Sequence, residues 1–155
     1  MRLTVMTDYA LRLLMYVAQR QDRLCTISEI AEAYGISEAH LMKVTHQLAV
    51  YGWIETIRGK GGGMRLAHSP AEINLGTVVR NMEADFNLVE CFASDSSCLL
   101  TGQCALASVL HAALEGFLQH LDARTLGELL PPKVTFLPPT GRGRAMPKII
   151  GARNA

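Results

Sequence analysis

No run of uncharged apolar residues in these 155 positions approaches the roughly 18 that a membrane-crossing helix needs, although 49% of the residues are hydrophobic. The first residues, MRLTVMTDYALRLL, hold Asp8 and Arg12 inside their apolar stretch and lack a small-residue cleavage site, so they do not read as a signal peptide. Acid is missing from residues 131–155, which carry five basic residues: Lys133, Arg142, Arg144, Lys148 and Arg153. Proline is almost missing elsewhere, since five of the six prolines fall in that same stretch. Residues 1–130 hold all 14 acids against ten Lys and Arg, so a net charge of +1 hides a −4 body and a +5 appendage. The appendage, PPKVTFLPPTGRGRAMPKIIGARNA, has the composition of a disordered, solvated tail with a weak pull on nucleic acid. A flavin or nicotinamide motif and a nucleophile with a neighbouring base are also absent, which argues against an enzyme. What remains is a chain of one domain plus an appendage, expected in a reducing cytoplasm.

Helical periodicity dominates residues 1–130. Over residues 4–19, Met6, Tyr9, Ala10, Leu13, Leu14 and Val17 recur at i, i+3, i+4 spacing and predict one buried stripe, with Asp8, Arg12 and Met15 off it. Thr26 and Glu29 have capping-box spacing ahead of a short helix holding Ile30 and Ala33, and Gly35 ends it. Ser37 offers an N-cap for a third helix, SEAHLMKVTHQLAVY, with Leu41, Val44 and Leu48 inward and Gly52 as terminator. Two such helices joined by a glycine turn outline a helix-turn-helix. WIETIR then alternates like a strand, GKGGG supplies a tip and MRLA returns, which completes a winged helix-turn-helix. GKGGG lacks the Walker spacing, so its glycines do not point to a nucleotide. The third helix would meet base edges. Its expected DNA contacts are Ser37, His40, Lys43 and Gln47, and those of the wing are Arg58, Lys60 and Arg65. Glu38, Ala39, Met42 and His46 are also left facing outward.

A further amphipathic helix is expected from Leu75 to about Met82, and a long one from about Cys104 to Leu121. The apolar stripe of the long one (Leu106, Val109, Leu110, Ala113, Leu114, Phe117, Leu118, Leu121) is wider than one small winged helix can cover. It predicts a homodimer on a near-palindromic double-stranded DNA operator. The fold class is therefore mainly α with a small β-hairpin wing. Residues 1–75 form the DNA-binding domain, 76–130 the cysteine loop and dimerisation helix, and 131–155 the basic tail. Between the last two helices, CFASDSSCLLTGQC places Cys91, Cys98 and Cys104 within fourteen residues. Three thiols are one too many for a disulfide and one too few for a four-cysteine metal site. In a reducing compartment such clustering points to a metal or redox site, whereas Cys25 stands alone and reads as a small core or surface residue.

MRLTVMTDYALRLL, ISEIAEAYGIS, IRGKGGGMRLA, the three cysteines and TLGEL (residues 125–129) follow one another in unbroken order over roughly residues 1–130. Together they resemble the iron–sulfur winged-helix transcription regulators, the IscR/NsrR family. TDYALRLL with Asp8, HLMK and RGKGGG are most similar to its nitric-oxide-sensing branch. The resemblance implies a repressor whose operator affinity is controlled by an iron–sulfur cluster that reacts with nitric oxide, [4Fe–4S] favoured over [2Fe–2S]. It implies ligation by Cys91, Cys98 and Cys104. In the cluster-assembly branch the fourth ligand is a His three residues after the third Cys, and here that position is Ala107. In the nitric-oxide branch it is a first-helix carboxylate from the other subunit, which corresponds to Asp8. A carboxylate is a harder and more labile ligand for iron than a thiolate, which leaves one corner open to attack. His111, seven residues beyond Cys104, is the other candidate ligand, and Asp8 also suits the positive end of a helix dipole. Six residues separate Cys91 from Cys98, more than the resemblance implies. Alternative functions keep the same DNA-binding half: a zinc-dependent or redox thiol switch, or a cluster-assembly-type regulator.

Overall fold

Thr4 starts the first helix by accepting a hydrogen bond from the Thr7 amide, and helix α1 runs Val5–Ala18. In this computed structural model, which describes residues 2–93, 96–100 and 103–130, α1 touches helix, wing and C-terminal turn alike. Ala10, Leu13, Leu14 and Val17 are buried as the spacing predicts, and each fully buried leucine contributes about 1.5–3 kcal/mol of apolar transfer. The buried arc is wider than the predicted stripe, because Tyr16 and Ala18 are buried as well. On the Tyr16 side the second helix contributes. Tyr34 at its end meets the Tyr16 ring edge-on at 5.9 Å.

Helix α2 (Ile27–Tyr34) is capped by Thr26, whose side chain accepts from the Glu29 amide at 3.3 Å. The Glu29 carboxylate does not complete a capping box; Arg23 takes it at 3.0 Å. Gly35 adopts φ 64°, a left-handed conformation that suits a residue without Cβ. Ile36 is buried in the turn, and helix α3 (Glu38–Val50) follows with Leu41, Val44 and Leu48 fully buried. Strands β1 (Ile54–Ile57) and β2 (Gly63–Leu66) pair antiparallel, with Glu55 opposite Arg65. Cys25 adds a one-residue bridge to the hairpin, its amide and carbonyl bonding Met64 at 2.9 and 2.7 Å. Gly63 permits this approach, since a Cβ there would lie 2.6 Å from the Cys25 carbonyl oxygen.

Helix α4 (Leu75–Met82) is capped by Asn74 and buries Leu75, Val78, Val79 and Met82. A short 3-10 turn (Glu90–Phe92) opens the cysteine loop, and helix α5 (Ala105–Asp122) closes it. The foot of α5 is clamped to α4 by a two-pronged Arg80–Asp122 ion pair at 2.5 and 2.8 Å, which Gly76 leaves room for. A second 3-10 turn, Leu126–Leu129, carries a full capping box from Thr125 and Glu128 and sinks Leu126 into the core. That turn has no counterpart among the elements expected from periodicity. None of the described helices is long and apolar enough to cross a membrane. The expected tail, 131–155, lies outside the described residues.

Candidate functional site

Ser37 caps α3 and also binds its own neighbour: its Oγ accepts from the His40 amide at 3.4 Å and meets His40 Nδ1 at 2.8 Å. The His40 ring in turn lies 6.1 Å from the Tyr9 ring on α1. Two of the four expected helix contacts are thus engaged with one another at the start of α3. Lys43 and Gln47, one and two turns on, are exposed, and Lys43 has no ion pair among the described residues. Ala39, Met42 and His46 share this outward side. Sequence reasoning left them facing outward without assigning them to DNA; the 3.6-residue period that buried Leu41, Val44 and Leu48 was the signal that grouped them.

The wing separates its three cations. Gly59 and Gly61 hold φ of 99° and 77°, which only glycine takes easily, and they turn the tip so that Arg58 and Lys60 project from it. Neither Arg58 nor Lys60 makes an ion pair among the described residues. Arg65, by contrast, is tied across the strands to Glu55, with Nε and a terminal nitrogen 2.8 and 2.7 Å from one carboxylate oxygen. Arg65 is expected to meet DNA, but the fold shows it first satisfied within the hairpin.

The cysteines fall on three different supports. Cys91 sits in the 3-10 turn, Cys98 in the loop and Cys104 at the N-cap of α5, where its side chain makes no capping bond. All three are half-buried thiols. Phe92 packs edge-on against His111 at 6.0 Å, which lays the start of the cysteine loop along α5. His111 also reaches Glu115 at 3.6 Å. Cys25 is of another kind: burial pushes its thiol up to about 11, with the nearby Glu29 reinforcing the shift. Asp8 is held by Arg12 on its own helix, with contacts of 3.0 and 2.8 Å, and stays about half exposed. Among the described residues, no three or more of the His, Cys, Asp and Glu side chains are gathered closely enough to hold a metal ion. In donor chemistry the loop still fits a soft metal, because it offers three accessible sulfurs outside any disulfide.

A broad groove of about 770 Å³ runs between residues 2–4, residues 83–89 and α5, with Leu3, Leu88, Val89, Leu110 and Phe117 on its walls. Beside it the outer face of α5 is bare: Leu106 is 61% exposed and Val109 64%, and only Leu114 on that helix is buried.

The family description "Rrf2: Iron-dependent Transcriptional regulator" matches residues 3–132. Over 132 residues the chain is 49% identical to the HTH-type transcriptional regulator NsrR of Bacillus subtilis, covering 84% of this chain and 90% of that protein. The NsrR of Geobacillus kaustophilus is 51% identical over the same length, with the same coverage. Among solved structures, IscR of T. potens superposes with a TM-score of 0.68 at 22% identity, covering 83% of this chain and 85% of that one. Oxidised CymR of Staphylococcus aureus gives 0.71 at 22% identity, covering 87% and 100%. Those two likenesses speak for the winged-helix fold, and the regulator names of the sequence relatives speak against an enzyme. The chain belongs to the Rrf2 family of iron-dependent transcriptional regulators.

Proposed function

We propose that this regulator is a homodimeric repressor whose hold on its operator is set by an iron–sulfur cluster responsive to nitric oxide. The observation that carries the reading is the set of three half-buried thiols, Cys91, Cys98 and Cys104, spread from the 3-10 turn through the loop to the N-cap of α5. Relatives that share about half of the residues and carry the name NsrR support it. Residues 1–75 read DNA, 76–130 hold the cluster and the dimer contact, and 131–155 append a basic tail.

In this reading α3 enters the major groove, Arg58 and Lys60 at the wing tip draw in phosphates, and two copies address half-sites about one helical turn apart. The exposed Leu106 and Val109 face and the apolar groove beside it are covered by the second copy. Cys91, Cys98 and Cys104 supply three ligands, and Asp8 of the partner subunit supplies the fourth. When bound, the cluster supplies iron, [4Fe–4S] favoured over [2Fe–2S], that nitric oxide attacks. Asp8 must give up Arg12 to serve as ligand, so its release returns it to a ready-made ion pair and not to an unpaired state. A ligand drawn from the opposite subunit ties the cluster's presence to the spacing of the two α3 helices.

Anaerobic purification, absorption spectra and native mass spectrometry before and after stoichiometric nitric oxide test this directly. A coloured dimer with one cluster per subunit that changes with nitric oxide is expected. Ala at any one of Cys91, Cys98 or Cys104 should abolish the cluster and leave a folded dimer. A colourless chain that refuses reconstitution yet binds zinc would discard the cluster and keep the DNA-binding half.

A further inference from the structure

Helix α3 carries one acid, Glu38, and one base, Lys43, so with its histidines neutral it has no net formal charge. Its approach to DNA is therefore not driven by phosphate attraction, which falls to Arg58 and Lys60 on the wing. The helix offers instead hydrogen-bonding groups interleaved with bare hydrocarbon. Ala39 and Met42, three residues apart, are both exposed, and Met42 shows 55% of its surface. Met42 is not a displaced core residue, because Leu41, Val44 and Leu48 already fill the inward face. It sits in the N-terminal half of the helix, the part that meets base edges when such a helix docks.

In the major groove one base edge alone presents an apolar group, the C5-methyl of thymine. An unbranched thioether adapts its shape to such a group more readily than a branched side chain does. We infer that Ala39 and Met42 read thymine methyl groups, so that each operator half-site carries thymine where these two side chains land. This rests on α3 being the recognition helix. Lys43 and Gln47 flank the pair and supply the hydrogen bonds that a methyl contact lacks.

The test starts from duplexes that the full-length dimer selects out of a randomised double-stranded pool, with the protein both as purified without oxygen and after cluster reconstitution. Each thymine of the selected half-site is then replaced by deoxyuridine, which removes only the methyl group. At one or two positions per half-site affinity should fall by about fourfold, the factor expected for one methyl-sized apolar contact. Met42→Ala should lose this sensitivity at the position Met42 reads while any position read by Ala39 keeps it, and Met42→Leu should keep both. Equal affinity for thymine and uracil at every position, or selected half-sites without thymine, would overturn the inference while leaving the DNA interface standing. Retention of no duplex by either form would instead remove the DNA-binding assignment and the inference together.

Discussion

At the residue scale, the four cysteines divide into two kinds, and titration separates them. Cys25 lies at 0% exposure with its thiol pushed up to about 11, chiefly by burial. Its folded pKa lies above the ordinary 9.0, so folding favours the protonated thiol. That contribution is complete below pH 9 and is lost as pH rises toward 11. Urea unfolding of Cys25→Ala should accordingly show less loss of stability between those two pH values than the parent chain does. In the parent, alkylation of the native metal-free chain at pH 8 should label Cys91, Cys98 and Cys104 and spare Cys25. Labelling of Cys25 at the same rate as the others would contradict its burial. The loneliness of Cys25 in sequence set it apart from the other three but left core and surface both open, and its burial decides for the core. Its bridge to Met64 was not legible, because a single-residue strand partner leaves no periodic trace.

At the element scale, the wing is the part whose chemistry departs most from its sequence. The alternation in WIETIR and MRLA made the hairpin visible, and the glycines made the tip visible. Register, however, is a pairing property. Only the alignment of Glu55 with Arg65 shows that one expected DNA contact begins in an internal ion pair. Arg58→Ala and Lys60→Ala should each weaken operator binding and lower the salt dependence by about one counterion. Glu55→Gln should do the reverse, freeing Arg65 and raising affinity for non-specific duplex, with a steeper response to salt. Fluorescence anisotropy over a salt series reads all three, and unchanged slopes would place the wing off the DNA. Capping residues were the most legible elements of all. Thr26, Ser37 and Gly35 stand where their chemistry requires, because a cap depends on neighbours within three or four positions. The turn at Leu126–Leu129 was missed for the opposite reason: four residues carry too little period, although Thr125 and Glu128 show capping-box spacing.

At the scale of the whole molecule, α5 has more apolar surface than the described residues cover. Val109→Lys together with Leu106→Lys should break the proposed dimer into monomers in sedimentation, with little change in the melting of the monomer, since both residues are solvent-facing. A dimer that survived both substitutions would move the interface elsewhere. The apolar stripe was legible from spacing, but which side of it α4 would claim was not, because that depends on the Arg80–Asp122 clamp across 42 positions of chain. The same foot of α5 closes a circle. Leu75 donates to the Arg124 carbonyl at 3.0 Å, and Leu126 donates to the Ile73 carbonyl at 2.8 Å. The two ends of the stretch 75–124 thus meet beside the fully buried Ile73 and Leu126, while Leu75, Val78 and Met82 of α4 pack into the same core as α1. Topologically that stretch is an inset. An inset whose two ends meet can vary in its outer part, beyond Met82, without altering the distance between the chain ends it joins, whereas α4 is fixed by its place in the core.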